Sequence, residues 1–289
     1  MKNKYVLITG ASSGMGEATA ILLANSGYKV FAGVRSVSAI QKLKNLRNPN
    51  IIPLKLDVTK ECDITEAVDQ IKSIVDSFGL FALINNAGNN YSTPTELYEE
   101  EKARNLMETH FWGMASLTRH CIPLLRLYAK QFPEGARVIS VGSVGSISAF
   151  PFIQFYNAAK FAILGFTKSL RFELKPQNIH LSVILPGSVK TEIWRRTEET
   201  IQETLGNLEG HQADLYKENI LAAAKLSSSL EKNGVSSENA GKIFKKVLET
   251  RRPKLKYFIG MDAKAVNFMV KYLSDTDRHW IMNKQLKFK

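Results

Sequence analysis

The 289-residue sequence has only two cysteines, Cys62 and Cys121, and they stand at no metal-ligand spacing. This excludes a disulfide scaffold and a thiolate zinc site, and it suits a reducing cytoplasm, where we expect the chain to reside. Long apolar runs are also missing. Met1-Lys2-Asn3-Lys4 leads directly into Tyr5-Val6-Leu7-Ile8. Neither a membrane-spanning helix nor a signal or transit peptide is expected. Acidic residues are scarce: 27 Asp+Glu against 39 Lys+Arg, for a net charge of +12. The imbalance is steepest over residues 240–289, with 13 basic residues and 4 acidic ones. No interleaved aromatic-basic motif or nucleic-acid module accompanies it, so it reads as a solvated basic surface with no nucleic-acid partner. There is no internal repeat and no linker that would divide the chain.

What is present is an alternation. Tyr5–Thr9, Lys29–Val34, Ile51–Leu56, Phe81–Asn85, Arg137–Val141, His180–Leu185 and Lys256–Ile259 read as short buried strands. Helical patterns fall at Gly16–Ser26, Asp63–Phe78, Glu99–Leu127 and Asn157–Leu174. Such alternation predicts an α/β fold, a parallel sheet of about seven strands with helices on both faces, in a single domain over 1–289. The polar, helical stretch 190–237 breaks the rhythm and reads as a lid inserted over the site.

The first strand ends in Thr9-Gly10-Ala11-Ser12-Ser13-Gly14-Met15-Gly16, and a helix follows. Glycines there permit a tight turn, and the helix start offers free N–H groups to a pyrophosphate. Strand two ends in Ala32-Gly33-Val34-Arg35-Ser36, without the carboxylate that an NAD site uses on its ribose. Arg35 could instead pair with a 2′-phosphate, helped by Ser12, so NADP is expected over NAD.

Tyr156 and Lys160 lie one helical turn apart, with Ser143 thirteen residues upstream. A phenol ordinarily ionises near pH ~10. A lysine on the same helix face is expected to lower that value, while a hydroxyl holds a carbonyl oxygen.

Together these strings resemble the short-chain dehydrogenase/reductase family, motif by motif over about the first 190 residues and more loosely beyond. Besides the glycine loop, Asp57-Val58 looks like its adenine-contacting pair and Asn85-Asn86-Ala87-Gly88 like its strand-four signature. Pro186-Gly187-Ser188-Val189-Lys190-Thr191 looks like its nicotinamide-side loop, with Val189 and Thr191 near the carboxamide. The resemblance implies a Rossmann-type doubly wound sheet and a cofactor site of Gly10, Ser12, Ser13, Gly14, Met15 and Gly16. Asp57, Val58, Asn85, Ala87 and Gly88 extend that site, as do Pro186, Gly187, Val189, Thr191, Tyr156 and Lys160. It implies pro-S hydride transfer with Ser143, Tyr156 and Lys160 as catalytic residues. Val30-Phe31-Ala32-Gly33-Val34-Arg35 and Gly142-Ser143-Val144-Gly145 are most similar to the hydroxysteroid and retinol dehydrogenase branch. One departure stands out. His110 occupies the position of the family's relay asparagine, where it reads equally as a support for the relay, a titrating group or a packed histidine.

Phe150, Phe152 and Phe155 flank the tyrosine and Trp194 opens the lid. They suggest a pocket for apolar alcohols or carbonyl compounds, although each aromatic alone reads as core. The alternatives are a 3-oxoacyl thioester reductase and a non-catalytic NADP-binding regulator. The resemblance further implies a homodimer or homotetramer built on the two long helices. Near the end of the chain, Val266, Met269, Val270 and Leu273 form an apolar helical stripe, with Phe268, Trp280, Ile281 and Phe288 close by. Lys264 and Lys271 would allow peripheral membrane contact, but packing of that stripe on the protein is the reading favoured here.

Overall fold

Runs rich in β-branched and aromatic residues pair side by side, as the patterning demands. The computed structural model describes residues 4–286. Its strands are β1 (Tyr5–Thr9), β2 (Lys29–Val34), β3 (Ile51–Lys55), β4 (Ala82–Asn85), β5 (Ala136–Val141), β6 (Ile179–Pro186) and β7 (Lys256–Ile259). They form one parallel sheet in the order β3-β2-β1-β4-β5-β6-β7. All seven match their expected positions, with ends shifted by no more than one residue. The chain winds outward from β1 through β2 to β3, then returns to place β4 on the other side of β1. That reversal opens a crevice beyond the carboxyl ends of β1 and β4, where such sheets bind ligands.

The helices are α1 (Gly14–Asn25), α2 (Val37–Asn45), α3 (Glu61–Val75), α4 (Glu100–Met107), α5 (Gly113–Gln131), α6 (Gln154–Leu174), α7 (Ile193–Gly206), α8 (Gly210–Lys232), α9 (Ser237–Glu249), α10 (Met261–Tyr272) and α11 (Asp275–Leu286). They enclose a core in which Val6, Leu7 and Ile8 of β1 are fully buried. The continuous helix expected over Glu99–Leu127 is instead α4 and α5 joined by a single π-turn at Glu108–Trp112. The extra residue of such a turn offsets the helix faces, and the neighbours Thr109 and His110 are both buried.

Three helices, α2, α9 and α11, escape the sequence pattern. In α2 the N-cap Ser36 accepts a hydrogen bond from the Ala39 N–H at 3.2 Å. In α9, Phe244, Val247 and Leu248 are buried, and the helix packs along α1. The segment between β6 and α9 closes on itself. The Lys190 and Val235 N–H groups donate to the Val235 and Ser188 carbonyls, both at 2.9 Å, so α7 and α8 leave from and return to one short parallel ladder.

Candidate active site

The glycine loop comes first. Gly14 has a φ of +56°, and a side chain there would press on Thr191 at 3.0 Å. A Cβ on Gly16 would collide with the Gly10 carbonyl, so only glycine lets α1 pack this tightly on the loop. Ser13, the N-cap of α1, makes no side-chain cap bond, which leaves first-turn N–H groups for an anion. The loop borders a cavity of about 290 Å³. Gly10, Ser12, Ser13, Gly14 and Met15 line one side, Asp57, Val58, Ala87 and Gly88 another, and Arg35 with Ser36 the rim. Thr191 and Glu192 close it. The uncapped N–H groups at the start of α1 and the Arg35 guanidinium are donors of the kind that phosphate groups accept from. The Asp57 carboxylate turns to its own loop, accepting from the Thr59 N–H at 3.1 Å and the Thr59 hydroxyl at 2.8 Å.

β4 is tied to this loop by groups that the cofactor set drawn from the sequence left out. Asn86 Nδ2 donates to the Thr9 carbonyl at 2.9 Å, and the Thr9 hydroxyl accepts from the Asn86 and Ala87 N–H groups at 3.0 and 2.9 Å. Asn85 is buried, with Nδ2 donating to the Thr118 hydroxyl at 3.0 Å.

Ser143 lies just beyond β5 and caps a short 3₁₀ turn, where its Oγ accepts from the Gly145 N–H at 3.1 Å. Ser143 Oγ and the Tyr156 ring both border Gly145, where an added side chain would touch the two of them. Asn157 holds the intervening loop by donating to the Phe150 carbonyl at 2.7 Å. Lys160 is only 4% exposed, donates to the Val141 carbonyl at 2.8 Å and lies 5.4 Å from the centre of the Tyr156 ring. Burial brings its pKa down to about 7. Burial also raises the Tyr156 pKa above the ordinary phenol value, and the nearby Ser143 hydroxyl offsets only part of this. This corrects the depressed phenol expected from the Tyr156–Lys160 spacing. By the pH at which the phenol would ionise, Lys160 has lost the charge that would favour the phenolate.

His110 stands edge-on to Tyr156, ring centres 5.5 Å apart. Its Nε2 meets the backbone of Asn89, 3.1 Å from the N–H and 2.8 Å from the carbonyl. Burial, with the Lys160 charge, holds its pKa well below the ordinary value, so it is a neutral ring and not a group titrating near neutrality. Its Nδ1, the Thr109 hydroxyl and Asn85 Oδ1 have no partner among the described residues. They border a cavity of about 10 Å³, close to the least that holds one water.

The loop after β6 is clamped from two sides. Trp194 Nε1 donates to the Val189 carbonyl at 2.8 Å. Asp262, at the start of α10, accepts from the Ser188 N–H at 2.6 Å, and any side chain on Gly187 would strike its carboxylate. Of the four residues expected here, Thr191 lines the cavity, and Pro186, Gly187 and Val189 are not among its lining residues. Phe155 packs against Tyr98, ring centres 4.8 Å apart, whereas Phe150 and Phe152 are half-buried in the loop before α6. Phe152 has a φ of +64°, unusual for a bulky side chain. Sequence reasoning missed Asp262 and Asn157, because neither belongs to a local motif.

A parallel sheet with a glycine loop at its reversal point, and a serine, tyrosine and lysine gathered nearby, defines a dinucleotide-dependent oxidoreductase. The chain belongs to the short chain dehydrogenase family, whose model matches residues 4–202. It is 33% identical over 280 residues to a 3-amino-tetrahydro-pyrrolizinone reductase from Xenorhabdus hominickii, covering 96% of this chain and 94% of that protein. It is 28% identical over 300 residues to human retinol dehydrogenase 16, covering 97% and 89%. A short chain dehydrogenase from Burkholderia cenocepacia, solved in complex with NADP, shares the fold with a TM-score of 0.73 at 23% identity, over 98% of this chain and 99% of that one. The family and these named relatives make the chain an NAD(P)-dependent oxidoreductase, similar to the hydroxysteroid and retinol dehydrogenases, and set aside the non-catalytic regulator. No described helix is long and apolar enough to cross a membrane.

Proposed function

We propose that the enzyme uses NADP(H) to interconvert an alcohol and a ketone or aldehyde on an apolar substrate. The observation that carries this is the gathering of Ser143 and Tyr156 around Gly145, with the buried Lys160 amine 5.4 Å from the Tyr156 ring centre. NADPH would supply the hydride from its nicotinamide C4. Ser143 Oγ–H holds the carbonyl oxygen and Tyr156 Oη–H donates the proton to it. The raised phenol pKa keeps that proton in place at neutral pH, which suits the reductive direction. Lys160 is fixed from behind by the Val141 carbonyl and orients the ribose side of the cofactor. His110, neutral and packed on Tyr156, orients the phenol ring.

Support for NADP over NAD comes from the rim. Arg35 and Ser36 border the cavity, and Lys42 Nζ lies 3.1 Å from the Ser12 carbonyl. Solved relatives of the fold include both NADP and NAD complexes, so the fold itself does not select between them. Residues 190–237 act as the substrate lid in this reading, with Phe150, Phe152 and Trp194 as its apolar walls. Lys102 pairs with Glu203 at 3.1 Å and Asn90 Nδ2 donates to the Thr197 hydroxyl at 2.8 Å, which anchors α7 over the segment after β4. Exposed Trp112, Phe161 and Phe172, on the π-turn and α6, support a homo-oligomer through these helices.

The test is NADPH oxidation against a panel of steroid, retinoid, long-chain and 3-oxoacyl thioester carbonyl compounds, with Tyr156→Phe beside the wild type. The variant should bind NADPH normally and lose nearly all turnover. Retained turnover would refute the acid–base role, and a preference for the thioesters would identify the other enzyme class.

A further inference from the structure

We infer that the solvent-facing side of α10, together with Trp280 of α11, is a docking surface for an anionic lipid membrane. At about 100° per residue, Met261, Ala265, Phe268 and Tyr272 fall on one line along α10. That line faces water: Met261 is 75%, Phe268 62% and Tyr272 60% exposed, and Trp280 on the next helix is 64% exposed. The stripe singled out in the sequence, Val266, Met269, Val270 and Leu273, is half-buried, so α10 is apolar on two sides and only one packs on the protein. Phe268 and Tyr272 lie together, ring centres 4.6 Å apart. Phe288 falls outside the described residues.

The charges around this surface select the partner. Lys264 and Lys271 flank the line on one side and are exposed. Lys271 Nζ sits 4.9 Å from the Tyr272 ring centre and Lys284 Nζ 5.3 Å from that of Trp280. Nearby carboxylates are already engaged: Asp275 with Arg278, Asp277 with Ser274 and Asp262 with Ser188. Lys271 and Lys284 thus lean on aromatic rings and Lys264 on the Met261 sulfur, and the arrangement is that of an interfacial helix, with aromatic residues entering the acyl boundary and lysines meeting lipid phosphates. A second copy of the chain would bring lysines against lysines on a protein of net charge +12, which disfavours self-association through this face.

Co-sedimentation of the full-length protein with vesicles of phosphatidylcholine, with and without phosphatidylglycerol, tests this across a salt series. Binding should require phosphatidylglycerol and fade as salt rises. Phe268→Ser with Tyr272→Ser should weaken it by at least about ten-fold. Lys264→Glu with Lys271→Glu should remove the salt-sensitive part. Turnover of a water-soluble aldehyde should be unchanged in both variants, which separates this result from failure of the proposed chemistry. Absence of binding at low salt, or binding that neither variant alters, would overturn the proposal. So would a change of oligomeric state in the Phe268/Tyr272 variant without vesicle binding, which would assign the face to a second copy.

Discussion

Lys160 has a pKa of about 7 because its ammonium is enclosed, and this makes stability depend on pH in a definite sense. Between about pH 7 and the ordinary lysine value, the unfolded chain holds a proton that the folded chain has released, so stability rises with pH. His180, lowered to about 4, acts in the same sense between about pH 4 and 6.5, and His110, held well below its ordinary value by burial, adds to it. Tyr28 and Cys121, both raised to about 12, contribute the opposite slope, but only above their ordinary values near pH 9 to 10. The thermal midpoint of the unliganded enzyme should therefore climb from pH 4 to about pH 9. Lys160→Met should flatten the climb above pH 7 and leave the acid side intact. A wild-type midpoint that does not move between pH 7 and 9 would contradict the burial of this amine. At the cavity rim, Arg35→Ala should raise the dissociation constant of NADPH about ten-fold or more over any change for NADH. Equal losses, measured by nicotinamide fluorescence, would count against a 2′-phosphate contact. The serine, tyrosine and lysine could be proposed from sequence because their spacing is local. The phenol's raised pKa could not, because it follows from enclosure by β5 and the π-turn, which spacing cannot report.

Among the elements, the corner between β7 and α10 exerts an influence out of proportion to its length. Asp262 accepts from the Ser188 and Ala263 N–H groups, at 2.6 and 2.8 Å, and so fastens the loop that closes the cofactor cavity. Asp262→Ala should leave the Ser188 N–H unpaired at a cost of about 1–3 kcal/mol. Cofactor affinity and turnover should fall together, and Asp262→Asn, which keeps one acceptor, should fall between. If the midpoint dropped while cofactor affinity stayed unchanged, the corner would be a stability element only. The strands were readable because short apolar runs of β-branched residues have few other ways to be buried. The break between α4 and α5 was not, since a π-turn carries no signature beyond an unremarkable Glu108–Trp112 stretch. α2 was missed because only Leu43 of its nine residues is buried, which leaves little apolar period to detect.

The molecule as a whole is one parallel sheet whose strand order differs from chain order, and its cofactor cavity draws on residues from Gly10 to Glu192. Contributions to that cavity are complete well before the chain is, yet the sheet is not. β6 has seven buried residues out of eight, and its outer edge is covered only by β7, residues 256–259. During synthesis, then, the longest strand waits with a bare row of N–H and C=O groups while the intervening seventy residues emerge. A chain stopped at residue 250 should not yield a smaller enzyme with an intact cofactor cavity. It should partition into the pellet on expression more than the full chain does, and a soluble, NADPH-binding fragment would show that β6 tolerates an open edge. An edge strand that arrives so long after its partner thus leaves the growing protein open to its neighbours until β7 docks.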